Sequence, residues 1–343
     1  MVKRPTIADL ASASGVSVAT VDRVLNRRMP VSADTARRVV LAAESIGYHA
    51  AGLLRRRHDE TPLRRFGFLL QKRGDEFYQR LAAQLGAETA AQTNFRGKST
   101  IEFVDDIAPS IVAGRIRQMS QRVDALAVVA VDHPLVNEAV GEAVAGGKPV
   151  FTLLSDLTSP ARAGYLGVDT RKAGRTAAWA ISRLAPRRHG KIGILLGSHR
   201  YLSQQLAEIS FRSYMRENSQ EFQVLEPLVN LDDGRIAYEA VADMAASNPD
   251  LVGIYVCGGG MDGLVRALRD ETSGERPIAV CNELIAATRA ALIEGVVDMV
   301  LGTPLAALAA RAVAVMARAC EGVSLEGMEQ ILLPAEIYIR ENI

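Results

Sequence analysis

Short continuous runs of apolar residues alternate with amphipathic stretches from Arg65 to the end of the chain. Eight of these runs predict strands, and each is continuous rather than alternating in polarity, which is typical of parallel strands buried on both faces. They occupy residues 66–70, 101–104, 125–131, 150–154, 191–196, 224–229, 251–256 and 278–281. Because helical patterns separate them, we predict an α/β fold, in which roughly 280 residues are divided between two lobes.

The N-terminal segment lacks such runs and instead predicts short helices. Thr6 and Asp9 have the spacing of a capping pair at the start of a first helix, which Gly15 ends. Ser17 caps a second short helix, and Ser32 caps a third. Three short helices with a tight glycine turn predict a helix-turn-helix, in which the second helix enters the major groove of DNA.

The composition excludes several classes of protein. With 48% apolar and 23% charged residues over 343 positions, the chain can bury more than one core and is neither disordered nor fibrous. It has no apolar stretch of membrane-spanning length and no secretory signal at its start, so we expect a cytoplasmic protein that makes no membrane contact. Cys257, Cys281 and Cys320 lack CxxC spacing, and we expect them to be buried without zinc or a disulfide.

Charge is distributed unevenly, although the whole chain is nearly neutral. Residues 1–58 contain ten basic and four acidic residues, which makes this segment +6 and the remainder −5. A split of this kind is typical of a polyanion-binding head on a neutral body. The positions of the arginines in the predicted helices favour DNA as that polyanion over a merely solvated basic surface.

Five short motifs occur together in this head. They are Thr6-Ile-Ala-Asp-Leu-Ala, Gly15-Val-Ser-Val-Ala-Thr-Val, Arg23-Val-Leu-Asn26, Val31-Ser and Gly47-Tyr48. Together they resemble the DNA-binding head of the lac repressor (LacI) family. The resemblance implies that Val18 and Ala19 hold the main base-reading positions, where apolar contact with thymine methyls is expected. The DNA-binding residues it implies in the head are Thr6, Ser17, Val18, Ala19, Thr20, Arg23, Asn26 and Tyr48, with Arg23 as the main hydrogen-bonding reader and Tyr48 closing the head.

One departure from the family pattern lies in the second predicted helix. Asp22 stands where the family usually has serine before the arginine. The carboxylate either lies near the DNA phosphates as an anion or pairs with Arg23 and orients it. We expect orientation, because an unpaired carboxylate would repel the phosphates.

A second departure lies in the hinge that follows the head. In the family this segment forms a short helix on DNA and inserts a leucine into the minor groove, at the position that Arg57 occupies here. An arginine can enter a narrow minor groove but cannot unstack a base step, so kinking would require Leu53 or Leu54 as the wedge. Alternatively, Arg55, Arg56 and Arg57 form a linker that contacts phosphates.

The body resembles the sugar-binding-protein-like core of the same family, through motifs such as Pro149-Val-Phe-Thr, Gly167-Val-Asp169 and Leu333-Pro-Ala-Glu336. The resemblance implies a head at residues 1–48, a hinge at 49–64 and an effector-binding core at 65–343. Lobe 1 would comprise about 65–160 and 303–329, and lobe 2 about 161–302 and 330–343. The chain would then cross between the lobes near Ser159, Gly302 and Gln330.

A small-molecule effector would bind between these lobes, at the carboxyl ends of the strands. The effector-binding residues implied by matching positions are Phe77, Asp132, Ser155, Asp156, Cys257, Gly258 and Glu283, although Phe77 is equally suited to the core. Ala207, Cys257 with Gly258, and Gly302 replace polar groups that hold ligand in relatives. A changed ligand is favoured over lost sensing, because the remaining carboxylates would be costly to bury without partners. A carbohydrate or polyol is the family's default.

Two alternatives belong to other classes of protein. Gly258, Gly260 and Gly263 form a GxGxxG motif after an apolar strand, with Glu283 twenty residues later, which mimics the dinucleotide fingerprint of an NAD-dependent oxidoreductase. The motif lies deep in the chain rather than at the opening of a domain, which argues against that enzyme. A solute-binding protein would share the body but would require an export signal.

The sequence therefore predicts a transcription regulator and not an enzyme. We expect a repressor that binds operator DNA as a homodimer or tetramer. Relief of repression by the effector is the default expectation, and the sequence equally allows an effector that strengthens DNA binding. No cofactor or metal is predicted, because no pair of the five histidines has ligand spacing and no catalytic motif of a hydrolase occurs.

Overall fold

The computed structural model describes residues 4–26, 31–59, 62–187, 189–270, 276–321 and 328–343, and for residues 33 and 56–59 it describes the backbone alone. The helices are α1 (Ile7–Ser14), α2 (Val18–Asn26), α3 (Ala33–Ser45), α4 (Ala51–Asp59), α5 (Glu76–Ala91), α6 (Pro109–Ser120), α7 (Pro134–Ala145), α8 (Thr170–Leu184), α9 (Leu202–Asn218), α10 (Gly234–Ser247), α11 (Met261–Asp270), α12 (Ala286–Glu294) and α13 (Leu305–Cys320). The strands are β1 (Leu63–Gln71), β2 (Arg96–Val104), β3 (Ala125–Val128), β4 (Val150–Leu153), β5 (Gly164–Val168), β6 (Gly190–Leu196), β7 (Phe222–Val224), β8 (Leu228–Val229), β9 (Leu251–Val256), β10 (Ile278–Asn282), β11 (Met299–Gly302), β12 (Glu329–Leu333) and β13 (Glu336–Tyr338).

Helices α1 to α3 form the head, and local capping sets where they begin. The Thr6 hydroxyl accepts from the Asp9 amide while the Asp9 carboxylate accepts from the Thr6 amide, so the predicted capping box is present. Gly15 ends α1 with φ of 65°, a left-handed conformation that glycine adopts without steric cost. Ser32 caps α3 through the Thr35 amide. Buried apolar side chains from all the helices of the head then form one small core.

Two parallel sheets build the body, as predicted. The first has the strand order β12-β5-β4-β3-β1-β2, and the second has the order β13-β11-β10-β9-β6-β7, with β8 also paired to β6. β13 is antiparallel to β11. Helices cover both faces of the first sheet: Phe68 and Leu70 pack with α5 and α13, whereas Leu69 between them packs with α6 and α7. The α/β fold expected from the pattern of apolar runs is therefore confirmed.

The lobe boundaries differ from those expected. β5 and β12 both belong to the first sheet, where they pair with each other in parallel. The chain consequently crosses between lobes after β5, after β11 and after β12, so the crossings expected near Ser159 and Gln330 lie later, beyond Val168 and Leu333. Both strands were missed because two glycines interrupt the apolar run of β5, and β12 alternates in burial at a sheet edge.

The run at 224–229, predicted as one strand, is two. β7 and β8 pair with different parts of β6, and Pro227 lies between them. Proline cannot donate to the ladder, which explains the interruption. In the described ranges, no helix combines the length and apolarity needed to cross a membrane.

Candidate DNA-binding head and interlobe pocket

The second helix of the head presents one face to solvent. Val18, Ala19, Arg23 and Asn26 are exposed at helical spacing, whereas Val21 on the other side is fully buried in the head core. Val18 is 51% exposed even though it is a branched apolar residue. An exposed apolar side chain beside an arginine, at the start of the second helix, has the chemistry needed to contact base edges in a major groove.

Hydroxyl groups order the N-terminus of this helix. The Ser17 hydroxyl accepts from the Thr20 amide at 3.2 Å and lies 2.9 Å from the Thr20 hydroxyl. Thr6, at the N-terminus of α1, is likewise exposed. Backbone N–H groups at helix N-termini attract anions, so these two ends are suited to phosphate contacts.

Asp22 is held differently from the expectation. Its carboxylate accepts from the Asn26 side-chain amide at 2.7 Å, one helical turn later. In the described part of the chain, Arg23 has no ion pair with Asp22. The predicted orientation of Arg23 by Asp22 is therefore wrong for this structure. Side chains at i and i+4 lie on the same side of a helix, as Asp22 and Asn26 do, whereas neighbours such as Asp22 and Arg23 do not face each other.

Tyr48 is a core residue rather than a surface contact. It is buried in the head core, and its ring centroid lies 4.4 Å from that of His49. The expectation that Tyr48 closes the head fits this burial, but the structure gives its ring no surface that could contact DNA.

The hinge forms helix α4, which packs on the head. Leu54 is 3% exposed and belongs to the head core, whereas Leu53 beside it is 52% exposed. Leu54 therefore cannot serve as a minor-groove wedge in this arrangement, which leaves Leu53 as the available apolar side chain. Arg55 donates to Glu44 of α3 at 3.0 Å, and the side chains of Arg56 and Arg57 lie outside the described residues.

A pocket lies between the two sheets, at the carboxyl ends of their strands. Its cavity has a volume of about 130 Å³, within a wider cleft that is open to solvent. Its polar and aromatic lining includes Lys72, Asp75, Phe77, Tyr78, Gln204, Asp232, Tyr255, Asn282 and Glu283. Phe77, Cys257, Gly258 and Glu283 were expected here, and the structure brings these four together in the lining.

Backbone strain is concentrated at this pocket. Among the described residues, left-handed φ angles in residues other than glycine occur at Lys72, Leu154, Leu231, Asp232 and Glu283, between 43° and 64°. Four of these line the pocket, and Leu231 precedes one of them. Such conformations cost of order 1–3 kcal/mol each and cluster at ligand sites. The strain marks the pocket as functional independently of its shape.

Glu283 is the carboxylate most strongly perturbed by this environment. Its carboxylate accepts from the Thr303 amide at 2.9 Å and from the Thr303 hydroxyl at 2.6 Å. Desolvation nevertheless raises the pKa of Glu283 to about 7, because these two bonds offset only part of the burial. The carboxylate therefore titrates near neutral pH.

Lobe 1 contributes Asp75 and Lys72 to the pocket. Asp75 caps α5 by accepting from the Phe77 amide at 2.9 Å, and burial raises the pKa of its carboxyl group. Lys72 donates across the cleft to the carbonyl oxygens of Leu231 and Asp232, at 3.0 and 2.7 Å. The cleft is therefore closed by direct bonds between the lobes.

Three residues expected in the pocket do not line it. The Asp132 carboxylate accepts from Asn137 and Thr158 within lobe 1, and Asp156 forms a two-pronged ion pair with Arg162 at 2.6 Å. Ser155 accepts from the Ser203 amide of the opposite lobe at 3.4 Å. The assignment of Asp132, Ser155 and Asp156 to the pocket is therefore corrected: the two carboxylates are satisfied within lobe 1, and Ser155 bridges the lobes.

Comparison with known proteins agrees with this architecture. The family model for "Bacterial regulatory proteins, lacI family" matches residues 6–50, and the model for a periplasmic binding protein domain matches residues 66–324. The chain belongs to the lacI family of bacterial regulatory proteins. It is 28% identical over 207 residues to the HTH-type transcriptional regulator MalR of Streptomyces coelicolor, a match that covers 58% of this chain and 56% of MalR, so the chain spans little more than half of that relative.

Other relatives and solved structures extend the likeness. A further HTH-type regulator, from the aml 5′ region of Streptomyces limosus, is 26% identical and covers 78% of this chain and 74% of its own. A solute-binding protein of Agrobacterium vitis with bound D-fucose superposes with a TM-score of 0.73 at 20% identity, covering 81% of this chain and 96% of that one. GanP, a glucose-galactose binding protein of Geobacillus stearothermophilus, gives 0.73 at 14% identity, covering 82% and 99%. At these identities the two structures establish the fold of the core.

Membership of the lacI family, whose members are regulators rather than enzymes, removes the oxidoreductase alternative. The three glycines of the GxGxxG motif are instead explained by close packing and backbone conformation. A Cβ at Gly258 would lie 2.7 Å from the Asp232 carboxylate, and one at Gly263 would lie 1.9 Å from the Gly234 carbonyl. Gly260 has φ of 85°. These glycines allow the loop after β8 and helix α10 to approach β9 and α11 closely.

Several lining residues were not anticipated from sequence, namely Lys72, Asp75, Asp232, Tyr255 and Asn282. Asp232 follows β8 in the turn-like stretch Asn-Leu-Asp-Asp-Gly, and Asp75 follows Gly74 after β1. At both positions, a polar residue shortly after a strand could have predicted a place in the ligand pocket, because ligands bind at the carboxyl ends of strands in α/β sheets. Tyr255 lies within an apolar strand and carried no such signal.

Proposed function

We propose that this protein is a sequence-specific transcription repressor whose DNA affinity is set by a small molecule bound between its lobes. The observation that carries the proposal is the exposed face of α2, with Val18, Ala19 and Arg23 directed to solvent on a capped, well-packed head of the lacI family. Exposed apolar and guanidinium side chains on the second helix of such a head are suited to base contacts in the major groove of DNA.

Operator recognition would require two copies of the head. A single helix-turn-helix buries too little surface for specific affinity, so a homodimer, or a tetramer built from dimers, would place one head on each half of a two-fold symmetric operator. Arg23 would then hydrogen-bond a base, Val18 and Ala19 would contact thymine methyls, and Leu53 would be available to the minor groove.

The effector would act through the angle between the lobes. Residues 60–62 alone separate helix α4 from β1, whose end carries Lys72 at the interlobe cleft. Strand β1 alone therefore connects the interlobe cleft to the hinge, so a change in the angle between the lobes would move the hinge through this strand. Coupling of about 1–3 kcal/mol between the two sites would suffice for regulation.

A carbohydrate or polyol is the proposed ligand class. Support comes from the fold likeness to a D-fucose-bound solute-binding protein and to a glucose-galactose binding protein. The pocket combines aromatic side chains such as Phe77 with carboxylates and amides. This combination suits a sugar ring, which has apolar faces and hydroxyl groups at its edge.

Capture of genomic fragments tests the proposal. The full-length protein, immobilised and mixed with sheared DNA of its source genome at moderate salt, should retain a small set of fragments that share one symmetric sequence. Those fragments should be released when the correct effector is added. Uniform retention of all fragments, with a steep salt dependence and no shared sequence, would mean that the head binds DNA without specificity and would overturn the proposal.

A further inference from the structure

The charged side chains that line the interlobe pocket are mostly acidic. Asp75 comes from lobe 1, and Asp232 and Glu283 come from lobe 2. Lys72 is the only basic residue among the described lining residues, which gives the lining a formal charge of −2, one lysine against three carboxylates. The Lys72 ammonium group donates to two backbone carbonyls, and no ion pair joins it to these carboxylates in the described residues.

The three carboxylates also affect one another. Burial is the main cause of the raised pKa of Asp75, and the charge of Asp232 adds to it. Burial likewise dominates at Glu283, where the charge of Asp75 adds to the effect. Burial outweighs the charge of Lys72 at Asp75 and that of Arg80 at Glu283, so the pKa of each carboxyl group is raised despite these cations. Carboxylates from both lobes therefore share one partly desolvated space that an additional positive charge would stabilise.

A second observation, independent of charge, indicates a ligand in the same space. The Tyr255 side chain is fully buried, lines the pocket, and its hydroxyl has no hydrogen-bond partner in the described residues. The buried Oδ1 of Asn282, which also lines the pocket, has no partner there either. Buried polar atoms are seldom left unpaired, so both are suited to bind a ligand.

The aromatic lining of the pocket agrees with a small organic cation. Phe77, Tyr78 and Tyr255 bring aromatic rings to the pocket. Aromatic faces attract ammonium groups, and carboxylates accept the hydrogen bonds that such groups donate. Among the described lining residues, Lys72 is the one side chain that could neutralise an acidic ligand, and it already donates to two backbone carbonyls.

We infer that the effector carries a protonated amine on a hydroxylated skeleton of about monosaccharide size, as in an amino sugar or an amino polyol. The inference rests on the proposed function, because it specifies the ligand of the same interlobe pocket. An ammonium group only donates hydrogen bonds, which matches the unpaired Asn282 oxygen and the carboxylates. It would also draw Asp75 of one lobe and Asp232 of the other towards a shared positive charge, and so favour closure.

Calorimetric titration with matched pairs of compounds tests the inference. The full-length protein is titrated near neutral pH and low salt with hexosamines and their parent hexoses, and with amino polyols and their parent polyols. Each pair replaces one hydroxyl by an amine. At least one amine should bind about tenfold more tightly than its hydroxyl counterpart, and added salt should reduce that preference.

Two variants connect the preference to the pocket. Asp75→Asn keeps a residue that caps helices well, and Asp232→Asn keeps a residue that tolerates left-handed backbone, so both should fold. Each should abolish most of the preference for the amine. Asp243→Asn, which removes an exposed carboxylate on α10 outside the pocket, should leave the preference unchanged.

Equal or tighter binding of the hydroxyl compound in every pair would overturn the inference, and so would the absence of binding by every amine. Capture of genomic DNA by the same preparation distinguishes an incorrect ligand class from an incorrect proposal of DNA-binding regulation. Specific DNA capture without any amine preference rejects the ligand class alone, whereas an amine preference without DNA capture rejects the regulator.

Discussion

At the scale of single residues, Glu283 is the lining carboxylate whose pKa is shifted furthest by the pocket. The groups that act on its charge are Asp75, Arg80, Tyr78 and Tyr338, besides its hydrogen bonds from Thr303. Its pKa is raised from 4.5 to about 7 by desolvation. The native state therefore holds a proton that the unfolded chain releases, and the protein loses stability as pH rises through this window.

Glu283→Gln should remove that pH dependence. Below pH 4.5 the carboxyl group is protonated in both states and the variant should resemble the wild type, whereas above about pH 7 the variant should be the more stable of the two. Melting temperatures of both proteins across this range provide the measurement. A difference that stays constant with pH would show that the Glu283 carboxylate is not perturbed in the folded protein, and Asp243→Asn serves as the control with no expected trend.

Arg23 should carry much of the base preference. Arg23→Ala removes the exposed guanidinium from the reading face of α2, so specific binding to a captured fragment should weaken by about 1–3 kcal/mol. Binding to unrelated duplex DNA should change less. Fluorescence anisotropy on both DNAs measures the two affinities, with Arg183→Ala in lobe 2 as the control. An equal loss on both DNAs would assign Arg23 to a phosphate contact.

At the scale of elements, helix α4 separates two neighbouring leucines. Leu54 is buried in the head core and Leu53 is exposed. Leu54→Ala should destabilise the head by about 2–5 kcal/mol and increase hydrogen exchange of the α1 to α3 amides in the full-length protein. Leu53→Ala should leave that exchange unchanged and weaken specific binding by about tenfold, if it unstacks a base step. Reversed effects of the two variants would contradict the packing of α4.

The elements differ in how far their sequence determines them. The starts of α1 and α3 follow from Thr6 and Ser32, because a cap bonds to residues a few positions away. β12 could not be foreseen, because it is stabilised by pairing with β5, which lies more than 150 residues earlier. The sequence was similarly insufficient for the aspartates that follow strands, because it does not tell which of their carboxylates is neutralised by a partner. Asp156 and Asp232 are each followed by an arginine within a few residues, but only Arg162 pairs with its aspartate, whereas Arg235 pairs with Glu239 and Asp232 faces the pocket.

At the scale of the whole molecule, a few bonds between the lobes hold the cleft closed. The Tyr201 hydroxyl donates to Gln71 at 2.7 Å, and the Glu76 carboxylate accepts from the Ala286 amide at 2.9 Å. Lys72 adds its two bonds to the loop at Leu231 and Asp232. The Asp132 amide also donates to the Arg200 carbonyl at 2.9 Å, Ser155 accepts from the Ser203 amide, and Arg80 donates to the Leu284 carbonyl. All of these contacts are hydrogen bonds at the rim of the cleft, which a bound ligand can strengthen or replace and so shift the balance between closed and open states.

Lys72→Met should shift that balance towards the open form. The variant keeps the length of the side chain but loses the two interlobe bonds, so the radius of gyration from solution scattering should increase. Lys98→Met, on the exposed edge strand β2, should leave it unchanged. An unchanged radius for Lys72→Met would mean that the remaining contacts keep the lobes closed without the lysine.

Sequence-specific DNA binding is tested by selection of random duplex DNA with the full-length protein at moderate salt, followed by sequencing of the retained pool. A two-fold symmetric site should be enriched, and its half-sites should lose base preference when Arg23→Ala is used in place of the wild type. A retained pool that cannot be distinguished from the input would contradict sequence-specific operator binding, because the exposed face of α2 would then read no sequence.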